Sequence, residues 1–190
     1  MRYLIIYAHP NPKSYNHAIL NIIEDKLKKN GCDFEVRDLY KLKFNPVLSG
    51  EDLPSIQQRQ VPSDIRIEQE HIKKADVLIF IHPIWWFGMP AVIKGYIDRV
   101  FSYGFAYAVD KNSVKGLLNG KKVMIFNTTG GPEENYKDMG YGAALKATIE
   151  KGIFEFCGMQ VIRHKYFYAV PYISDEQRKA MLEDLRAMAL

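Results

Sequence analysis

The chain has only two cysteines in 190 residues, Cys32 and Cys157, with no CxxC pair and no metal-type clustering. A disulfide framework and a thiolate metal site are thereby excluded, and buried, reduced thiols of a cytoplasmic protein are expected. No apolar run is long enough to cross a bilayer. The N-terminal run Tyr3 to Ala8 is too short for a secretory core and passes straight into polar residues. Dense Lys/Arg runs are missing too. The 26 basic and 22 acidic residues leave a net charge of +4 spread along the chain, which gives no footprint for nucleic acid. Neither GxGxxG nor the P-loop lysine motif occurs, so the standard dinucleotide-first and triphosphate sites are excluded. Repeats, low-complexity tracts and linkers are also lacking, and the length suits one domain over 1–190.

What is present is alternation. Tyr3–Ala8, Asp33–Leu39, Val77–Ile81, Val123–Phe126 and Gln160–Val170 read as five strands. Between them lie helical patterns at Asn16–Lys29, from a Ser63 or Asp64 cap to Lys74, from a first turn holding Pro90 to Ser102, and at Gly142–Phe156. A terminal helix runs from a Ser174 cap to Met188. Tyr40–Pro62 carries three prolines and reads as an excursion with a short helix, and Gly104–Gly120 as a loop or hairpin insertion. The wholly apolar Val77–Ile81 belongs in the middle of a parallel sheet. The order predicts a doubly wound α/β domain. A ligand would then sit beyond the C-terminal ends of the strands.

The loops there are the chemically unusual segments. After strand one come His9, Lys13, Ser14, Tyr15 and Asn16 at a helix start, where free N–H groups and the helix dipole favour an anion such as phosphate. A simple capped turn is the bland alternative. After strand three, Pro83-Ile84-Trp85-Trp86-Phe87-Gly88 concentrates three large rings in one loop. That suits a flat aromatic ligand, against the alternative of core or interface packing. After strand four, Thr128-Thr129-Gly130-Gly131 offers hydroxyls and backbone donors, with Tyr136 just beyond. A tight Gly-Gly-Pro turn is the alternative there.

These motifs, with Lys94-Gly95 and Asp98-Arg99-Val100-Phe101, resemble the flavodoxin-like NAD(P)H:quinone oxidoreductases over nearly the whole chain. The resemblance implies a flavodoxin-like, five-stranded parallel sheet of order 2-1-3-4-5 with helices on both faces. It implies a bound flavin, FMN or FAD, with NAD(P)H as co-substrate. Two-electron hydride transfer to quinones or similar electrophiles would follow, in a ping-pong scheme. His9, Ser14, Tyr15 and Asn16 would hold the phosphate and ribityl chain. Pro83, Ile84, Trp85, Trp86 and Phe87 would line the ring. Thr128, Thr129, Gly130, Gly131 and Tyr136 would face its pyrimidine end, with Gly130, Gly131 and Tyr136 in the catalytic role of stabilising developing charge. Phe105 and Tyr107 would form a substrate pocket at a homodimer interface. Vertebrate members carry a relay histidine where Gly142 stands here, and a long C-terminal extension that this chain lacks, which brings FMN forward. The family also includes regulatory subunits of potassium-efflux transporters, so a membrane-transporter partner is an alternative. A one-electron flavodoxin-type carrier is a second alternative, and the +4 charge speaks against it.

Overall fold

The computed structural model describes residues 1–58, 60–110 and 113–190. Arg59, within the expected excursion, and Lys111 and Asn112, within the expected insertion, lie outside the described residues. In chain order the elements are β1 (Arg2–Tyr7), α1 (Tyr15–Lys29), β2 (Asp33–Asp38), α2 (Asp52–Gln57), α3 (Ser63–Lys74), β3 (Val77–Pro83) and α4 (Ala91–Val100). Then follow β4 (Tyr107–Asp110), β5 (Ser113–Gly116), β6 (Lys122–Thr128), α5 (Glu133–Asp138), α6 (Tyr141–Leu145), a π-helix (Lys146–Glu155), β7 (Gln160–Phe167) and α7 (Asp175–Ala187).

Five strands form one parallel sheet in the order β2-β1-β3-β6-β7. This is the expected 2-1-3-4-5 sheet, because β4 and β5 pair only with each other, antiparallel. Side chains of the central strands alternate between two cores. Leu4, Ile6, Leu78, Phe80, Val123 and Ile125 pack toward α4 and the π-helix. Tyr3, Ile5, Tyr7, Ile79, Ile81, Met124 and Phe126 pack toward α1 and α7. All seven residues of β3 are buried, as a central strand covered on both faces requires. No helix among the described residues is long and apolar enough to cross a membrane.

Several boundaries differ from the sequence expectation. Pro90 is the N-cap of α4 and not part of its first turn. Pro62 occupies the N-cap of α3 and makes no side-chain bond, so neither Ser63 nor Asp64 caps it. β7 ends at Phe167, because the chain turns at Ala169 with φ +51°. The segment expected as one α-helix from Gly142 is five residues of α6 followed by a ten-residue π-helix. The buried side chains of the π-helix, Ile149 and Phe154, lie five residues apart, a spacing that follows the wider turn and not the period of about 3.6 residues behind the sequence expectation. The Ser174 cap of α7 is as expected: Ser174 Oγ accepts from Gln177 N–H while the Gln177 side chain accepts from Ser174 N–H.

The proline-rich excursion is tied down by charge. Arg99 of α4 is almost fully buried, and its guanidinium donates to Asp52 (2.9 Å), to Asp64 (2.6 Å) and to the Asn45 carbonyl (2.9 Å). The Arg99 guanidinium holds the Asp52 carboxyl below its ordinary pKa. Gly95, on the same helix, faces Pro46 so closely that a Cβ would lie 2.1 Å from the Pro46 carbonyl oxygen.

Candidate functional site

The parallel order brings the C-terminal ends of β1, β3 and β6 together, and a cavity of about 350 Å³ opens there. Its lining draws on each of the three singled-out loops: His9, Tyr15 and Asn16; Pro83, Ile84, Trp85 and Trp86; and Thr128, Thr129 and Gly130. Val170 and Pro171, after β7, complete it. Sequence inspection missed those two, although the rule that pointed to the other loops applies equally to the loop after strand five.

The first wall is the start of α1. Ser14 is the N-cap, and its hydroxyl accepts from His17 N–H at 3.2 Å. Among the described residues, no acceptor meets the N–H groups of Tyr15 and Asn16. The first turn of α1 has no acidic residue, so this helix end is free for an anion. Asn16 is only 2% exposed, and its Nδ2 donates to Thr128 Oγ1 at 2.8 Å. Its Oδ1 is buried without a partner among the described residues. Such an orphan costs free energy unless something in the cavity donates to it. His9 accepts from Asn11 N–H at Nδ1 (3.0 Å), which leaves Nε2–H free. Burial pushes its pKa below the ordinary value, so the ring is neutral at pH 7. Tyr15 lines the cavity and sends its hydroxyl to the Arg178 carbonyl, 2.8 Å away on α7.

The second wall is a two-residue hairpin. Trp85 and Gly88 exchange both backbone hydrogen bonds at 3.0 Å. The residues between them, Trp86 and Phe87, have φ of +49° and +55°. Left-handed backbone at two bulky residues is strained, and it persists only where surrounding structure enforces it. Trp86 is 97% exposed. Phe87 stacks on Tyr141 at 3.8 Å between centroids, and the Trp85 ring meets the His9 ring edge-on at 6.0 Å. Phe87 and Ser14 adjoin the cavity lining without belonging to it.

The third wall is the end of β6. Thr129 N–H donates to the Phe167 carbonyl (2.9 Å), and Thr129 Oγ1 to the Gly131 carbonyl (2.8 Å). Ala169 N–H reaches the same Gly131 carbonyl at 2.9 Å. The N–H groups of Gly130 and Gly131 meet no acceptor among the described residues. Tyr136 sits behind this loop and not in the cavity lining. It is 5% exposed, its ring lies near Phe87, Tyr141, Tyr166 and Tyr168, and burial raises its pKa. Gly142 backs onto Tyr136, where a Cβ would lie 3.2 Å from the Tyr136 carbonyl oxygen.

Phe105 and Tyr107 are not part of this cavity. Phe105 lines a separate cavity of about 540 Å³ with Gln69, Lys73 and Ser102. Tyr107 lines two others beside Asp98 and Phe101. No grouping of His, Cys, Asp and Glu fit for a metal ion occurs among the described residues.

Comparison with known proteins agrees with this geometry. A family model described as having a flavodoxin-like fold matches residues 1–189. An uncharacterised NAD(P)H oxidoreductase of Haemophilus influenzae is 40% identical over 184 residues, covering 96% of this chain and 91% of that protein. Human ribosyldihydronicotinamide dehydrogenase (quinone) is 34% identical over 199 residues, covering 94% of this chain and 86% of that one. Among solved structures, an NAD(P)H:quinone oxidoreductase from Methanothermobacter marburgensis superposes with a TM-score of 0.90 at 29% identity, covering 98% of this chain and 96% of its own.

Proposed function

The chain belongs to the flavodoxin-like NAD(P)H:quinone oxidoreductase family, and from that premise we propose that it reduces quinones or similar electrophiles with NAD(P)H by way of a flavin bound in the three-loop cavity. The observation that carries the proposal is the chemistry of that cavity. It has unengaged N–H groups at a helix start, an orphaned buried acceptor at Asn16, apolar and aromatic side chains on one wall, and unengaged glycine N–H groups on another. A phosphate-bearing flavin nucleotide fits each of these features, and when bound it supplies the two-electron hydride chemistry.

The chain's own residues do the rest. Ser14, Tyr15 and Asn16 hold the phosphate and ribityl end, with His9 Nε2–H as a further donor. Pro83, Ile84, Trp85, Trp86 and Phe87 grip the ring through apolar contact and keep water from it. Thr128, Gly130 and Gly131 would present donors to its polar rim, where they would favour negative charge, and Thr129 braces the loop through its bonds to the Phe167 and Gly131 carbonyls. Tyr136 supports that rim from behind the loop. Phe105 and Tyr107 belong to an acceptor pocket completed by a second copy of the chain.

The test is an absorbance spectrum of the purified protein followed by anaerobic NADPH. Flavin bands that bleach within seconds, and recover on adding a quinone, are expected. The nucleotide released by heat identifies FMN or FAD. Bound flavin that resists reduction would replace the proposal with a carrier or regulatory role, and a protein that takes up no flavin overturns it.

A further inference from the structure

Directly beneath the cavity lies a buried polar chain that the proposed reaction does not use. His82 and Asn127 stand opposite each other in β3 and β6, one residue before the lining residues Pro83 and Thr128. Both are wholly buried. Asn127 Nδ2 donates to the His82 carbonyl at 2.9 Å, and His82 Nδ1 donates to the Pro83 carbonyl at 2.9 Å. On its other side, Asn127 Oδ1 accepts from His164 Nε2 at 2.8 Å. His164 Nδ1 lies 2.9 Å from Glu150 Oε1 on the π-helix. The side chains of His164 and Glu150 are 5% and 12% exposed.

The contacts fix the proton count. An amide oxygen only accepts, so His164 Nε2 carries a hydrogen. A 2.9 Å approach of Nδ1 to a carboxyl oxygen needs one proton between them, on the ring or on the acid. Without it, a lone pair would face a carboxylate. With a second proton, two donors would face each other. The other titratable groups around the pair are Tyr166, whose hydroxyl is 3.4 Å from His164 Nδ1, Lys146 on the π-helix, and His82 across Asn127.

We propose that His164 and Glu150 are positioning residues for the cavity: their single shared proton holds the Asn127 amide in one orientation, and through Asn127 it fixes the facing ends of β3 and β6 from which Pro83 and Thr128 line the wall. The pair also keeps the floor of the cavity neutral, where a carboxylate left without its proton would oppose an anionic occupant. Loss of the shared proton therefore loosens the wall and weakens flavin binding, and burial, which lowers the His164 pKa, works against the Glu150 carboxylate that holds the proton there.

The inference rests on the proposed flavin site, and two measurements keep the two apart. The first uses the unliganded protein with 15N-labelled histidine. His164 Nε2 is expected to stay protonated, while the Nδ1 signal changes once, where the shared proton is lost. In Glu150→Gln, whose amide donates permanently to Nδ1, that change should vanish. The second is the dissociation constant for FMN across pH by fluorescence quenching. The native protein is expected to lose affinity several-fold above the pH of the Nδ1 change. Glu150→Gln is expected to keep its affinity there, and Glu150→Ala to bind more weakly at every pH. Using the same ligand with each protein cancels the titration of FMN itself. Identical affinity profiles above that pH in the native protein and Glu150→Gln overturn the inference, as does an Nδ1 change that persists unaltered in Glu150→Gln. A native protein that binds no FMN overturns the functional proposal, while the histidine signals still decide the pair.

Discussion

Single residues at the strand ends carry opposing demands of stability and site chemistry. Burial pushes the His82 pKa down to about 4, against the help of the Pro83 carbonyl. The unfolded chain would take up that proton below about pH 6.5. Between these values the unfolded state binds more protons, so stability falls as the pH falls, by about 3 kcal/mol once the pH reaches the folded value. Denaturant midpoints at about pH 7 and about pH 5 should differ more for the native protein than for His82→Gln; equal differences would remove His82 as the source. Asn16 pulls the other way, since its Oδ1 is orphaned in the absence of a ligand. Asn16→Leu should cost the cavity at least about tenfold in flavin affinity while leaving the fold intact, as read by fluorescence titration and by circular dichroism. Tyr136→Phe should leave flavin content unchanged and slow reduction by NAD(P)H about tenfold, the worth of the one hydrogen bond by which its hydroxyl supports Thr129 in the loop. An unchanged rate in stopped-flow would sever Tyr136, which lies behind the loop, from the chemistry.

At the scale of elements, strain and close approach decide where the sequence was legible. The strands and the three unusual loops followed from apolar runs and from the placement of Ser14, the Trp-Trp-Phe cluster and Gly130-Gly131, because each is a local signal, while the order of strands in the sheet came from the family resemblance. The π-helix was not legible, since apolar residues were matched to a period of about 3.6 residues and its buried pair, Ile149 and Phe154, lies five residues apart. The Arg99–Asp52–Asp64 cluster was equally hidden, because its members are brought together only by packing of the excursion on α4. The site was legible as loops but not as geometry: Tyr136 lies behind the wall, Val170 and Pro171 complete it, and Phe105 and Tyr107 line other cavities. The strained hairpin yields a prediction of its own. Trp86 is almost fully exposed at φ +49°, so Trp86→Gly forfeits little packing and relieves roughly 1 kcal/mol of backbone strain. Its melting temperature should equal or exceed that of the native protein while flavin affinity drops. A lower melting temperature would mean that the ring contributes to folding. Gly95→Ala has the opposite outcome: a methyl 2.1 Å from the Pro46 carbonyl oxygen must push the excursion off α4, at about 1–3 kcal/mol.

For the whole molecule, the distribution of uncovered apolar surface argues for a second copy. Leu53, Tyr103, Val109, Val114 and Phe156 are large, apolar and about half exposed. They gather around the β4–β5 hairpin and the cavities that Tyr107 lines, where the Tyr107 ring meets those of Tyr103 (5.9 Å) and Phe156 (5.5 Å). A monomer leaves this patch in water, which a globular chain seldom tolerates at such size. A symmetric pair would bury it, and the proposed acceptor pocket requires that the same pairing place Phe105 and Tyr107 of one copy at the three-loop cavity of the other. Sedimentation at micromolar concentration should therefore give a dimer. Val109→Glu, which sets a like-charged pair into a two-fold interface, should shift it toward monomer. That variant lies outside the three-loop cavity, so the flavin content and the reduction by NAD(P)H that the proposed function expects should be those of the native protein. Quinone turnover should fall with the dimer fraction and return at high protein concentration. A Val109→Glu monomer with full quinone turnover would show that Phe105 and Tyr107 play no part in the acceptor site, and that one chain suffices for both half-reactions.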